Sequence, residues 1–251
     1  MIEIIADRLA AARRTAVPIP PIRSEIATLA DAYAVQRLNA DRRRAAGTPS
    51  AGRKIGLTSA AVQRQLGVTA PDSGWLWTDT RFANGAEVPT TNLIAPRVEA
   101  EIAFILARDI TDPDAPLEPA IAAVVPAIEI VDSAIADWNI VLIDTVADNA
   151  SAWGFVIGGP HLRLADLDLP NLKMTLARNG HIGSTGLGSA TMGNPLTALA
   201  WLARHAIDSG EPLRAGEIIL AGALGPVLPA APGDHFEARI EGFAPLSLHF
   251  T

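Results

Sequence analysis

The chain contains no cysteine. This absence excludes disulfide bonds, thiolate nucleophiles and zinc sites built on thiolates. Basic residues are also in the minority, since 20 lysines and arginines stand against 27 aspartates and glutamates, giving a net charge of −7 and a pI near 5.2. Nucleic acids and anionic membrane surfaces require a basic face, so neither is expected as a partner.

Long hydrophobic runs are missing as well. The longest apolar stretch, residues 120–131, is broken by Pro126 and Glu129 and is too short to span a bilayer. Glu3 and Asp7 lie where a signal peptide would carry a positive region and an apolar core. Together with the lack of cysteine, these features predict a cytoplasmic protein.

Several motifs of known active sites are absent. The chain has no Gly-x-Ser-x-Gly elbow for a serine nucleophile. The glycine-rich run 183–189 lacks the Gly-Lys-Ser/Thr ending of a phosphate loop, and we interpret it as a flexible loop that lines a pocket. No two histidines have the spacing of a metal-ligand pair; they are His161, His181, His205, His235 and His249.

The first 47 residues are predicted to be helical. The proline cluster Pro18–Pro21 divides them into two helices. Thr28 and Asp31 form a capping box at the start of the second helix. Arg42–Arg44 in its last turn suit the negative end of the helix dipole, and Gly47 follows as a stop. We therefore interpret the three arginines as structural.

From about residue 52 short β-like runs alternate with turns and a few helices. No regular βαβ rhythm is present, which makes a Rossmann or TIM architecture unexpected. The predicted strands are 52–57, 97–107, 126–131, 153–158, 171–178, 216–221, 236–241 and 245–250, and the predicted helices are 59–66, 116–124, 138–148 and 195–207. We predict an α+β protein with an N-terminal helical region at 1–50 and a β-rich catalytic domain at 51–251.

Two glutamates in a strand are the most informative feature. In the run 97–106, Glu99 and Glu101 share one face while the other face is apolar. A third acid, Glu129, interrupts the apolar run 127–131. Carboxylates on strands with no evident counter-charge indicate a hard, oxygen-liganded cation such as Mg²⁺ or Mn²⁺. A solvated strand face and a buried ion pair are the alternatives.

Lys54 and Asp72 are the other candidates for chemistry. Lys54 lies in a predicted strand between Gly52 and Gly56, which allow close approach to a ligand. It could act as an acid or base, or as a Schiff-base nucleophile, if its pKa is lowered; otherwise it is a surface lysine. Asp72 is either a catalytic carboxylate or a turn residue.

Small polar residues form a third region of interest. Asp144 and Asp148 would lie one helical turn apart, and Asn149 and Ser151 precede an apolar strand. Local capping and hydrogen bonding to a substrate are both open.

In collinear order, these segments resemble the 2-keto-4-pentenoate hydratase family of the fumarylacetoacetate hydrolase-like superfamily. The similar runs are GRKIGLTSAAVQRQLGV, PDSGWLWTD, PRVEAEIAFIL, PAIEIVDSAIADW, DTVADNAS, GNPLTALAWLA and GALGPVLPAAPGDHFEARIEG. They cover nearly the whole chain, which makes the resemblance more specific than any single motif. It implies the mixed β-roll of that superfamily.

The resemblance also implies roles for individual residues. Glu99, Glu101 and Glu129 would bind Mg²⁺ or Mn²⁺, with Lys54 as the acid/base and Asp72 as its partner. Gly56, Leu57 and Ser151 would contact the substrate.

The implied activity is hydration of 2-hydroxypenta-2,4-dienoate, or a close analogue, to a 4-hydroxy-2-oxo acid in meta-cleavage aromatic catabolism, by a homo-oligomer. Five alternatives remain open: a 4-oxalocrotonate-type decarboxylase, an acylpyruvate hydrolase, metal-free Schiff-base catalysis by Lys54, a non-catalytic partner subunit associated with another enzyme of the pathway, and a binding protein for oxo acids.

Overall fold

A computed structural model describes residues 1–59, 63 and 68–251. The helix predicted over 59–66 therefore lies largely outside the described residues. The helices are α1 (Ile2–Thr15), α2 (Leu29–Ala45), α3 (Leu142–Ala147) and α4 (Pro195–Asp208). In the described part of the chain, no helix is both long enough and apolar enough to cross a membrane.

The strands form two sheets. They are β1 (Ser50–Gly56), β2 (Asp72–Trp77), β3 (Arg81–Phe82), β4 (Ala86–Val88), β5 (Arg97–Leu106), β6 (Ile121–Val131), β7 (Ala152–Ile157), β8 (Lys173–Arg178), β9 (His181–Leu187), β10 (Ile218–Leu220), β11 (Leu228–Pro229), β12 (His235–Ile240) and β13 (Leu246–Phe250). The large sheet runs β2-β1-β10-β5-β6-β7-β3, with β11 paired to β5, and the small sheet runs β4-β13-β12-β8-β9.

The N-terminal helices share a core with the rest of the chain. The predicted capping box is confirmed, because Asp31 N–H donates to Thr28 Oγ1 and Thr28 N–H donates to Asp31 Oδ2. Ile5 and Leu9 of α1 pack in one buried cluster with Val146 of α3. This packing holds the helices against the segment that follows β6; the boundary at residue 50 stays a prediction.

The longest pairing in the protein is antiparallel, between β5 and β6. It brings Glu99 directly opposite Glu129, two residues that are 30 positions apart in sequence. The apolar face of β5 carries Val98, Ala100 and Ile102 and is buried in the main core. The predicted alternation is thus confirmed, and it leaves all three glutamates on the opposite face of the sheet.

Three predicted elements were wrong. The helix expected over 116–124 is a short 3₁₀ turn, Glu118–Ala120, followed by β6, because β5 offers the apolar run 121–125 a full antiparallel partner. The loop expected over 183–189 belongs mostly to β9, which pairs with β8. The helix expected over 138–148 is shortened to α3.

Candidate active site

Three carboxylates converge on one face of the large sheet. Glu99 and Glu101 come from β5 and Glu129 from β6, and one oxygen of each lies within 4.8 Å of the others. Glu101 and Glu129 are fully buried, whereas Glu99 is half-buried. The site is therefore fixed by strand register on a rigid sheet, and Glu99 marks its more open side.

The carboxylates carry unsatisfied acceptor atoms. Glu101 Oε2 accepts a 2.7 Å hydrogen bond from Gly222 N–H. Within the described residues, Glu101 Oε1 and both oxygens of Glu129 lack a well-aligned hydrogen-bond donor, and the cation nearest to Glu129 Oε2 is Lys54 Nζ at 3.4 Å. Buried, unpaired acceptors are rare and costly, so this arrangement needs a positive partner. An all-oxygen donor set with excess negative charge fits a hard divalent cation.

Burial dominates the titration of these acids. It raises the pKa of Glu129 to about 8, against a smaller opposing effect of Lys54 and with a further rise from Glu99. Burial, followed by the neighbouring carboxylates Glu129 and Glu99, raises the pKa of Glu101 well above its usual range. Near neutral pH the cluster therefore holds protons that a bound cation would displace.

Lys54 supplies the counter-charge that the sequence did not reveal. Its Nζ lies 3.4 Å from Glu129 Oε2, and its side chain is buried. Burial alone would lower the pKa of Lys54, but Glu129, Asp72 and the other two glutamates together outweigh burial and raise it. The amine is thus cationic in this arrangement. The lowered pKa that a neutral Lys54 would need requires additional positive charge nearby.

The Asp72 carboxyl lies close to Lys54, in a position that a side chain on residue 56 would occupy. Asp72 pairs with Gly56 in the β1–β2 ladder. A Cβ atom on Gly56 would lie 2.2 Å from Asp72 Oδ1 and 3.1 Å from Lys54 Nζ. Burial raises the pKa of Asp72, with Lys54 opposing that rise. A carboxyl group and an ammonium group therefore approach the same small space.

The three residues predicted to contact substrate differ in how closely they approach Lys54 and Asp72. Gly56 lies between Lys54 and Asp72, as just described. Ser151 is buried, and its Oγ lies 3.5 Å from Thr145 Oγ1, which in turn donates to Asp72 Oδ2 at 3.4 Å. Leu57 follows Gly56 with a left-handed backbone, and its carbonyl accepts a hydrogen bond from Gln63.

Sequence reasoning missed Thr145 and Gly222. Thr145 was in a run of small polar residues but had no assigned role, and Gly222 had no signal at all, because both act through contacts across the fold. Asp144 does cap its own helix, accepting from Val141 N–H at 2.9 Å. Trp75 and Trp77 pack with Ala40 in a separate buried cluster.

Comparisons with known proteins agree with this geometry. Residues 51–251 match the family of fumarylacetoacetate hydrolase C-terminal domains, and the predicted fold is confirmed. The chain is 46% identical over 254 residues to a 2-keto-4-pentenoate hydratase of Paraburkholderia xenovorans strain LB400, covering 99% of this chain and 94% of the relative. It is 44% identical to a 2-hydroxyhexa-2,4-dienoate hydratase of Comamonas testosteroni, covering 100% and 97%.

A solved structure extends the likeness to the whole chain. It is the 4-oxalocrotonate decarboxylase of Pseudomonas putida G7 in complex with magnesium and adipate, with 33% identity, a TM-score of 0.96, and coverage of 100% of this chain and 97% of that one. The sequence identities nevertheless favour the hydratases. The chain belongs to the 2-keto-4-pentenoate hydratase family of the fumarylacetoacetate hydrolase-like superfamily.

Proposed function

We propose that this protein is a divalent-metal-dependent hydro-lyase. It adds water to 2-hydroxypenta-2,4-dienoate, or a close analogue, to give a 4-hydroxy-2-oxo acid in meta-cleavage aromatic catabolism. The observation that carries the proposal is the buried cluster of Glu99, Glu101 and Glu129 beside Lys54 and Asp72. The names of relatives at 44–46% identity over the full chain support the substrate class.

We assign the three glutamates as ligands of Mg²⁺ or Mn²⁺. Ionised, they contribute three negative charges, of which Lys54 offsets one, so a divalent cation would bring the cluster to neutrality. Bound there, the cation would supply Lewis acidity towards the carboxylate and 2-oxygen of the substrate. The magnesium in the related decarboxylase structure supports this assignment.

Lys54 and Asp72 are assigned to proton transfer. Hydration of a dienol requires a proton to move along the carbon chain before water adds at C4, and a positioned acid/base contributes about 10²–10⁴-fold to such a step. The ammonium of Lys54 is the acid, and Asp72 is the neighbouring carboxylate that exchanges the proton with it. Because Gly56 has no Cβ, the Asp72 carboxyl can lie against β1 near Lys54, where both groups are proposed to reach the substrate.

Substrate contacts are proposed for three positions. Gly56 allows close approach of the substrate to the backbone of β1. Ser151 offers a buried hydroxyl linked through Thr145 to Asp72. Leu57, with its left-handed backbone beside Gly56, is proposed to line the same space.

A decarboxylase is the second candidate. The structure of the 4-oxalocrotonate decarboxylase favours it, and so does Arg97, which lies two residues before Glu99 on the same strand face. The Arg97 guanidinium stacks 4.1 Å from the centre of the Trp138 ring and could hold a second carboxylate. Beyond Glu101 the same face carries Ala103 and Val125, which are fully buried in an apolar cluster.

The proposal extends to assembly and location. We propose that the protein is a homo-oligomer in the cytoplasm and that it associates with another enzyme of the same pathway. The net charge of −7 and the absence of cysteine support a soluble protein in a reducing compartment. Sedimentation analysis would measure the subunit number.

The decisive experiment is turnover of 2-hydroxypenta-2,4-dienoate, followed by loss of its ultraviolet absorbance. We expect loss of absorbance with Mg²⁺ or Mn²⁺, formation of 4-hydroxy-2-oxopentanoate, and no reaction with EDTA. Release of CO₂ from 2-oxohex-3-enedioate without hydration of the dienoate would instead establish the decarboxylase. No turnover of either substrate with the cation bound would indicate a non-catalytic partner subunit.

Schiff-base catalysis is tested separately. Borohydride reduction in the presence of substrate would trap an imine, and mass spectrometry can locate it because Lys54 and Lys173 are the only lysines. We expect no adduct at Lys54. An adduct there, with turnover that resists chelation, would replace the metal-dependent proposal.

A further inference from the structure

The turn that carries Ser151 has an unusual backbone. Asn149, Ala150 and Ser151 are consecutive non-glycine residues, and all have positive φ, at 57°, 51° and 56°. Left-handed conformations are unfavourable for residues with a Cβ and persist where the surroundings enforce them. Such strain concentrates at functional sites, and this turn adjoins the hydroxyl pair that reaches Asp72.

One restraint on the turn comes from β2. Asn149 uses its side-chain amide as a strand partner: Trp75 N–H donates to Asn149 Oδ1 at 2.8 Å, and Asn149 Nδ2 donates to Trp75 O at 3.0 Å. Gly74 makes room for this approach, since a Cβ there would lie 2.2 Å from Asn149 O. The turn is thereby fixed to the strand that bears Asp72.

The second restraint comes from the N-terminal helix. Arg13 of α1 forms a bidentate ion pair with Asp148, the residue before the turn. Its Nε lies 3.0 Å from Oδ1 and its Nη2 lies 2.8 Å from Oδ2. Its Nη1 lies 3.6 Å from Asp132 Oδ2, and the backbone N–H of Asp132 donates to Ser151 O at 2.9 Å. One guanidinium therefore holds both acids that contact the two ends of the turn.

The buried setting makes this contact consequential. Asp148 and Asp132 are both buried, whereas the Arg13 side chain is 22% exposed. Burial raises the pKa of Asp148 to about 6 even though Arg13 opposes the rise. Without Arg13, two neighbouring buried carboxylates would lose their cation, and the residue that precedes the turn would lose its side-chain restraint.

From this geometry we infer that Arg13 is a positioning residue for the active site, acting through Asp148 and the strained turn to place Ser151 and, through Thr145, Asp72. The inference rests on the proposed function for its kinetic readout. It gives the N-terminal helix a direct part in assembling the site, beyond its packing against α3. Arg13 does not touch the metal ligands, so its role is confined to the acid/base side of the site.

The test compares Arg13→Met with Arg8→Met. Arg8 is the matched control because it lies on the same helix and pairs at 2.6 Å with Glu25, away from the turn. We expect Arg13→Met to lower kcat by about 10- to 100-fold, the scale of a small misplacement of a catalytic group. KM should rise as well, because Ser151 is a proposed substrate contact, whereas the Kd for Mg²⁺ should change by less than about threefold, because Arg13 does not touch the three glutamates. Arg8→Met should stay within about twofold of the wild type, as a partly exposed pair contributes little.

Two further measurements keep the inference falsifiable. Amide hydrogen exchange should accelerate in residues 148–152 of Arg13→Met and stay unchanged in Arg8→Met. Arg13→Lys retains the positive charge but loses the bidentate contact with Asp148, so this variant should fold and have an intermediate kcat. If Arg13→Met does not fold, the kcat of Arg13→Lys tests the positioning role instead.

The outcomes separate the inference from the proposed function. Wild-type kcat in Arg13→Met, or in Arg13→Lys where the methionine variant is unfolded, would overturn the inference, as would an equal loss in Arg8→Met. If the wild-type protein hydrates nothing, the proposed function fails. In that case amide hydrogen exchange alone tests the inference. Equal exchange rates in residues 148–152 of the Arg13 and Arg8 variants would overturn it.

Discussion

Binding of the cation should depend steeply on pH. Burial raises the pKa of Glu129 to about 8 in the cluster, so at pH 6 the carboxyl group carries a proton that must leave before it can act as a ligand. Removing that proton at two pH units below the pKa costs about 2.7 kcal/mol, at about 1.36 kcal/mol per unit. At pH 8 the same cost is only about 0.4 kcal/mol, because the group is half-ionised.

The expected result is an affinity for Mg²⁺ or Mn²⁺ that rises about 50-fold from pH 6 to pH 8 through Glu129 alone, with about one proton released per cation at the lower pH. The raised pKa of Glu101 can only add to this slope. Above pH 8 the affinity should level off as far as Glu129 is concerned.

Folding stability of the cation-free protein should change with pH in the opposite direction. The folded protein keeps a proton that the unfolded chain has already released, so its stability falls as pH rises from about 4.5 to about 8.

Isothermal titration calorimetry measures both quantities. Titrations in two buffers with different ionisation enthalpies give the protons released, and a series from pH 6 to pH 8 gives the affinity. Glu101→Gln is the matched blank for weak binding to the acidic surface. An affinity that stays flat across this range, with no proton released, would refute the reasoning that these buried acids are protonated ligands.

Three further predictions concern single residues. Glu101→Gln can keep the hydrogen bond from Gly222 N–H but loses the negative charge of a proposed ligand. We therefore expect at least about 100-fold weaker cation binding and no turnover, with thermal stability in EDTA unchanged or higher. Full activity would remove Glu101 from the ligand set. Lys54→Met should bind the cation yet lose about 10²–10⁴-fold in kcat, and wild-type kinetics would remove Lys54 from the mechanism. Gly56→Ala places a methyl group 2.2 Å from Asp72 Oδ1, so we expect a large loss of kcat at retained cation affinity; an active variant would show that the gap between Lys54 and Asp72 is not used.

The strand face that carries the three glutamates could be predicted because its pattern is local. Alternation in β5 sets Glu99 and Glu101 on one face, and an acid between isoleucines marks Glu129. The direct pairing of Glu99 with Glu129 depends on strand register, which a single strand does not specify. The helix expected over 116–124 was wrong because burial against β5 overrides local helix propensity.

The support around the site could not be predicted in the same way. Arg13 and Asp148 are 135 residues apart, and no spacing rule links them. Asn149 takes a left-handed conformation that its neighbours impose, while its sequence indicated only a small polar residue before a strand. Contacts between distant elements thus determine where the reactive groups lie, even where local sequence predicts which residue types react.

The two candidate reactions share one end of the site and differ at the other. Both hydration and decarboxylation of these oxo acids require charge stabilisation near the substrate carboxylate, which the cluster of Glu99, Glu101 and Glu129 can provide once a cation is bound, so the cluster alone does not choose between them. The choice depends on the far end of the substrate. A second carboxylate needs a cationic or hydrogen-bonding partner, and Arg97 lies on the same strand face as the glutamates. The vinyl end of a dienoate needs no such partner. The same sheet can therefore serve either chemistry, and the direction in which the substrate tail points decides which one it performs.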